Sequence, residues 1–338
     1  MPPPCPWPNA SCARRSPANP GWPGAAKAAP RASQRSIPMT DHLRDFAREL
    51  ESQTAQPERL ALHIGGLVEP HLDVAHYLAA LDALADEAED RLLPGLAGGD
   101  LAHALLHVLG EQMGFQGNLG HYYDPGNSFL HLVIEKRRGL PITLSLLYMA
   151  VARRMGIRLE GMGFPAHFML RYQDNLGNWL LDPFHRAVVR QADAATYLSG
   201  VFRQPVQLHS AVAEYAVSNR MLLLRLLNNL RNVYLSQNAF QQALAVLDFM
   251  VVVEPDEPEL WRDRGLLHIQ TGEMLAAESD LRRYFSRRDR LHLFWAEPSV
   301  TFPGLPGLSW EGNHSPTNEE REVMAALGHI RATIGRVN

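Results

Sequence analysis

Residues 141–152, PITLSLLYMAVA, set the strongest condition on what this chain can become. A helix built from them is apolar on nearly every side, so it has to be covered on nearly every side. The run is too short and too interrupted to span a bilayer, which takes about 20 apolar residues. It is therefore expected to be the buried central helix of a folded domain. Pro141 suits the first helical position, where a missing N–H costs nothing, and Gly156 follows as a stop.

The flanks of this helix read as two different kinds of structure. Upstream, Asp124-Pro125-Gly126 is a turn, and Asn127 or Ser128 is placed to cap a short helix with Phe129, Leu132 and Val133 on its apolar face and Gly139 at its end. Further upstream, residues 41–117 are helical in pattern. Leu72, Ala75, Leu78, Leu81 and Leu84 recur at three-residue steps, and after the Gly98-Gly99 break Asp100 is placed to N-cap a helix over 101–115. Downstream, the segments 159–163, 167–173 and 179–184 are short, apolar or alternating. Pro165 and the 174–177 stretch break them apart, and strands are predicted.

From about Ser210 the chain turns helical again and repeats itself. Leu227, Leu230, Tyr234, Ala243 and Leu247 match Trp261, Arg264, His268, Ala277 and Leu281 at a constant offset of 34, the tetratricopeptide period. The small Ala recurs at the close helix crossing, and Gly265 follows Arg264 in another small-residue slot. Two such repeats leave an apolar face open, so docking on helices between Ser210 and Met221 is expected. A Pro/Gly-rich linker over 297–314 precedes a last helix starting at Thr317, with Glu320 in capping-box register and Val323, Leu327, Ile330 and Ile334 as its stripe.

Composition excludes several classes of function. The 338 residues carry a net charge of −4, with 46% hydrophobic and 20% charged residues. Neither a nucleic-acid partner nor a membrane partner is indicated. The two cysteines, Cys5 and Cys12, both lie before residue 39, so no disulfide framework and no thiol chemistry is available to the body of the chain, which fits a reducing cytoplasm. Residues 1–38 are rich in Pro, Ala, Ser and Arg and lack acidic residues. They read as a disordered extension: either a start placed upstream of Met39 or a targeting segment of transit-peptide type.

The stretch 163–185, GFPAHFMLRYQDNLGNWLLDPFH, predicts a hairpin with functional side chains. With an even turn, His167 and Asp182 have the parity to share one face as near-diagonal neighbours, while His185 falls on the other. A buried Asp accepting from an imidazole N–H orients it and raises its basicity, which is what a nucleophile needs behind it. The same pair also reads as a simple polar stitch between strands.

The wording YYDPGNSFL, RRGLPITLSLLY, GFPAHFMLRY and LLDPF, in that order and followed by the repeats, resembles the bacterial SirB-like family of transglutaminase-like proteins with C-terminal tetratricopeptide repeats. The likeness extends from Met39 to about Arg288. It implies an α+β fold: a helical N-terminal region over 39–118, a small papain-like transglutaminase core with antiparallel strands over 119–205, repeats over 206–290, and a linker and helix over 291–338. A related eukaryotic module is attached to an F-box, and no F-box is apparent here. In transglutaminase-like enzymes a cysteine opens the central helix. Here Pro141 takes that seat, with neither a nucleophilic atom nor an N–H. The resemblance makes His167 and Asp182 the candidate catalytic or vestigial pair, with Tyr123, Asn127, Arg138, Pro141, Thr143 and Phe164 around the groove.

Ser145, one turn beyond Pro141, and Thr143 are the remaining hydroxyls, each also able to bond back to its own helix. His103 and His107 have a metal-compatible spacing, but HALLH lacks the Glu of a zinc protease and no third ligand is obvious. No metal and no cofactor is expected. Arg137 and Arg138 could meet an acidic group at the site mouth or simply answer a helix C-terminus. Arg282, Arg283, Arg287 and Arg288 read as a solvated face. The leading expectation is a non-catalytic module that binds a protein or peptide through its repeats. The alternative is an atypical hydrolase or amidase on peptide or isopeptide bonds, with Ser145 or water as nucleophile.

Overall fold

The computed structural model describes residues 41–52, 54–164, 167–208, 216–291, 293 and 316–335. The expectations for the N-terminal extension, for the 297–314 linker and for most of the docking segment near Ser210 lie outside these residues. Internal contacts divide the chain into two compact units, Met1–Leu223 and Leu224–Asn338. Among the described residues no helix is long and apolar enough to cross a membrane.

The first unit is built round the helix its sequence demanded. Helices α1 (Asp41–Leu50), α2 (Pro57–Ile64), α3 (Val74–Arg91), α4 (Gly98–Leu106) and α5 (Leu130–Lys136) precede α6 (Pro141–Arg154). Pro141 stands at the first position of α6, and everything from Pro141 to Ala152 is buried except Met149. Helices α2, α3 and α5 and four short strands cover it. Its last turn is tied down electrostatically. Arg153 and Arg154 both meet the buried Glu58 in the first turn of α2, and Arg154 Nε also reaches Asp82 at 2.5 Å. Cations at a helix C-terminus and a carboxylate at a helix N-terminus suit both dipoles.

Several local expectations are corrected. The buried stripe of α3 is Tyr77, Leu81, Leu84, Ala85 and Ala88, while Ala75 is exposed. A helix of 3.6 residues per turn drifts off a strict three-residue step. Asp100 is not an N-cap: α4 begins at Gly98, whose N–H donates to Asp174 at 2.6 Å, so a carboxylate from the later hairpin caps it. Beyond Leu106 the helix widens into a π-turn, His107–Gln112. Asn127 and Ser128 do not cap α5; they lie in a 3₁₀ turn that Asp124 caps through Gly126 N–H. Gly139 does not end α5 either, because Arg137 takes the left-handed position (φ 55°).

Four strands follow α6 in one antiparallel sheet: β3 (Leu159–Met162), β4 (Met169–Asp174), β5 (Gly177–Asp182) and β6 (Ala187–Arg190), in that spatial order. A two-residue parallel pair, β1 (Gln116–Gly117) and β2 (Arg138–Gly139), lies beside α6. Asp174 pairs with Gly177 and Leu170 with Leu181, which leaves a two-residue loop and the even parity expected. One sheet face closes over Met162, Phe164, Met169 and Leu180 with Ala194 and Leu198 of α7 (Ala194–Phe202).

The second unit holds α8 (Asn219–Ser236), which begins just before its boundary, α9 (Phe240–Val253), α10 (Pro258–Thr271) and α11 (Met274–Arg287). These are the two helix pairs of the 34-residue repeat. Ala243 and Ala277 are fully buried, and a Cβ on Gly265 would lie 2.8 Å from the Leu281 side chain, so that slot takes only glycine without repacking. Between the helices Arg264 bridges Asp248 (3.0 Å) and Asp280 (2.6 and 2.8 Å). The face left by the second repeat is covered by α12 (Asn318–Gly335), whose Val323, Leu327 and Ile330 are buried. Thr317 and Glu320 exchange the two hydrogen bonds of a capping box, at 2.8 and 3.1 Å.

Candidate functional site: a shared carboxylate behind a capped helix

The start of α6 is held by one asparagine. Its carbonyl accepts from Leu140 N–H (3.3 Å) and from Thr143 Oγ1–H (2.7 Å). The Asn127 amide donates to the carbonyls of His121 (2.7 Å) and Tyr122 (3.1 Å), and its oxygen accepts from Asn118 (2.9 Å). Every polar atom of this buried side chain is used, so the 118–128 loop and the helix start form one piece. Thr143 therefore bonds a carbonyl across the loop, not the one a turn earlier.

Asp182 closes β5 with both oxygens engaged. Oδ1 accepts from the N–H groups of Phe184 (3.0 Å) and His185 (3.1 Å). Oδ2 accepts from His167 Nε2 (2.6 Å), His185 Nδ1 (2.8 Å) and the Tyr197 hydroxyl (2.7 Å). Asp182 is fully buried and His167 nearly so. Burial works to raise the carboxyl pKa, but the charge and hydrogen bond of His167, with those of His185, hold it far below the usual range. Burial first, and then the Asp182 charge, push the Tyr197 hydroxyl well up, so it stays a donor.

His185 is not on the opposite face. The alternation that placed it there ends with the strand at Asp182; the chain then turns through Arg186 (φ 57°) into β6, and the turn folds His185 back over the same carboxylate. Parity has no force beyond a strand end. Tyr197 reaches the site from α7, and no feature of its local sequence marks it. Pro183 directly after Asp182 marks a turn, the one local signal that bears on His185, but a turn by itself does not say which way the histidine points.

The hydroxyl one helical turn beyond Pro141 makes no hydrogen bond to a histidine. Ser145 is fully buried and its Oγ has no hydrogen-bond partner, neither His167 nor a carbonyl of its own helix. Of the other expected groove residues, Tyr123 and Arg138 are exposed, Asn127, Pro141 and Thr143 are buried at the helix start, and Phe164 lies in the sheet core. The Arg137 guanidinium donates to the Met113 carbonyl and stacks 5.3 Å over Phe115, and Arg138 donates to the Gly114 carbonyl at 3.1 Å. These two arginines serve the backbone just after the π-turn, at Met113 and Gly114. His103 and His107 are exposed, with His107 bonded to Glu111 at 3.0 Å.

An aromatic row runs from the surface into the site. Ring centres step from Tyr123 to Tyr122 (5.4 Å), Phe184 (5.9 Å), His185 (4.9 Å) and His167 (5.2 Å). Phe184 sits against Gly117, where a Cβ would come within 2.6 Å of its ring.

A buried central helix followed by an antiparallel sheet that carries an Asp-oriented histidine, joined in sequence to tetratricopeptide helix pairs, defines a transglutaminase-like core with a repeat unit. Comparison with known proteins agrees: residues 75–228 match the model of the transglutaminase-like superfamily, and residues 230–292 match that of the tetratricopeptide repeat. A UPF0162 protein of Xylella fastidiosa is 36% identical over 199 residues, 56% of this chain and 68% of that protein. Protein SirB1 of Salmonella typhimurium is 25% identical over 191 residues, 56% of this chain and 71% of that protein. F-box only protein 21 of Homo sapiens is 30% identical over 174 residues, 50% of this chain but only 28% of the human protein. The chain belongs to the SirB-like family of transglutaminase-like proteins with tetratricopeptide repeats.

Proposed function

We propose that this chain is a protein-binding or regulatory module, non-catalytic in its transglutaminase-like core, with the repeats as its docking surface and the cytoplasm as its compartment. The observation that carries the reading is the seat at the start of α6. Pro141 offers no attacking atom there, the Thr143 hydroxyl is spent on Asn127, and Ser145 Oγ bonds nothing. The chain's only thiols, Cys5 and Cys12, belong to its first residues. Acyl transfer needs a nucleophile within reach of its base, and His167 faces none among these side chains. Tetratricopeptide arrays present extended concave surfaces suited to binding a peptide or protein.

The test compares the purified full chain with its His167→Ala variant on amide, ester and isopeptide substrates. Equal rates, no higher than buffer, are expected. Turnover that disappears with the imidazole would overturn the reading in favour of a hydrolase using water, with His167 as base and Asp182 as its orienter. Affinity capture with the full chain and with a chain ending at Pro205 locates the docking surface; recovery of the same partners by both would remove the repeats from that role.

A further inference from the structure

His167, Asp182 and His185 each present one donor atom, and the three atoms lie within 4.8 Å of one another. We propose that this trio is a binding site for a divalent transition-metal ion of the zinc class. Two imidazole nitrogens and one carboxylate oxygen are the donor set such ions take when a position is left open for water.

The geometry supports this in three ways. The donors come from separate segments already fixed by the fold: the approach to β4, the end of β5 and the turn before β6. The carboxylate is also braced as a metal ligand needs to be, since two backbone N–H groups hold Oδ1 and the Tyr197 hydroxyl donates to Oδ2. Finally, the site has an entrance. The His167 and Asp182 side chains are 3% and 0% exposed, whereas that of His185 is 32% exposed.

Little movement separates the hydrogen-bonded arrangement from a coordinating one. Tetrahedral ligands at about 2.0–2.2 Å from zinc stand about 3.3 Å apart. The two nitrogens now lie 2.6 and 2.8 Å from Oδ2, so each gap opens by less than about 1 Å. Each imidazole turns a lone pair to the ion and carries its proton on the far nitrogen, so the cation takes the place of the two N–H donors at Oδ2. Such a site gives the His–Asp pair a use that requires no attacking side chain, and it is independent of where a protein partner docks.

Calorimetric titration of the full chain with Zn²⁺, in a Cys5→Ser, Cys12→Ser background that removes the competing thiols, tests the proposal. One equivalent is expected, with affinity falling at least tenfold in His185→Gln and in His167→Gln and unchanged in His107→Gln. Cobalt(II) in place of zinc should give the visible absorption of a low-coordinate nitrogen/oxygen site, lost in His185→Gln. Because His185 is part-exposed, that variant should keep the circular dichroism of the parent. Absence of saturable binding, or equal binding by the parent and both site variants, would show that only protons occupy this carboxylate.

Discussion

Asp182 receives five hydrogen bonds, from two imidazoles, a phenol and two backbone amides. Asp182→Asn keeps the shape but turns an NH₂ toward groups that are themselves donors, and it removes the charge that the histidines answer. We expect a loss of about 2–4 kcal/mol in denaturant unfolding. Tyr197→Phe deletes one donor and leaves the carboxylate otherwise satisfied, so about 1–2 kcal/mol is expected from the same measurement. His167 and Asp182 were legible because strand parity joins them. His185 and Tyr197 were not, since a turn and a distant helix bring them in.

At the scale of elements, Gly117 shows how backbone spacing sets the site. Gly117→Ala drives a methyl into the Phe184 ring, which packs edge-on against His185. A cost of about 1–3 kcal/mol is expected, with the aromatic circular dichroism altered. The capping box of α12 was readable from Thr317 and Glu320 alone, and Thr317→Ala should cost about 1 kcal/mol in thermal unfolding. The cap of α4 was not readable, because its acceptor, Asp174, lies 76 residues away from Gly98. The pairs β1–β2 and β5–β6 are not readable from the sequence either; two residues carry no period, and Ala187–Arg190 carries a weak one.

Over the whole molecule, acid sensitivity has a defined direction. His131 is buried beneath Tyr77 and Phe129 with neither ring nitrogen hydrogen-bonded, and burial lowers its pKa to about 4. Burial, then His42 3.4 Å away, lowers His63 to about 4 as well. Both are depressed from the ordinary value of 6.5, so between pH 6.5 and 4 the unfolded chain binds protons that the folded chain refuses. Stability should therefore fall as pH drops through that window and then level off for these two groups, while the depressed Asp182 gives a further loss only at lower pH. Unfolding midpoints measured from pH 7 to 4 check this, and His131→Leu should flatten the slope.

The chain's own order of residues determined whatever depends on near neighbours: the buried helix opened by Pro141, the 34-residue repeat, the hairpin parity and the final capping box. Each is a matter of period or of a few adjacent side chains. Tertiary structure alone decided that one carboxylate serves two histidines and a tyrosine, that Asn127 anchors the helix start, and that Asp174 caps α4. Those bonds join groups far apart along the chain, and only the packing that excludes water settles which donors and acceptors must satisfy one another.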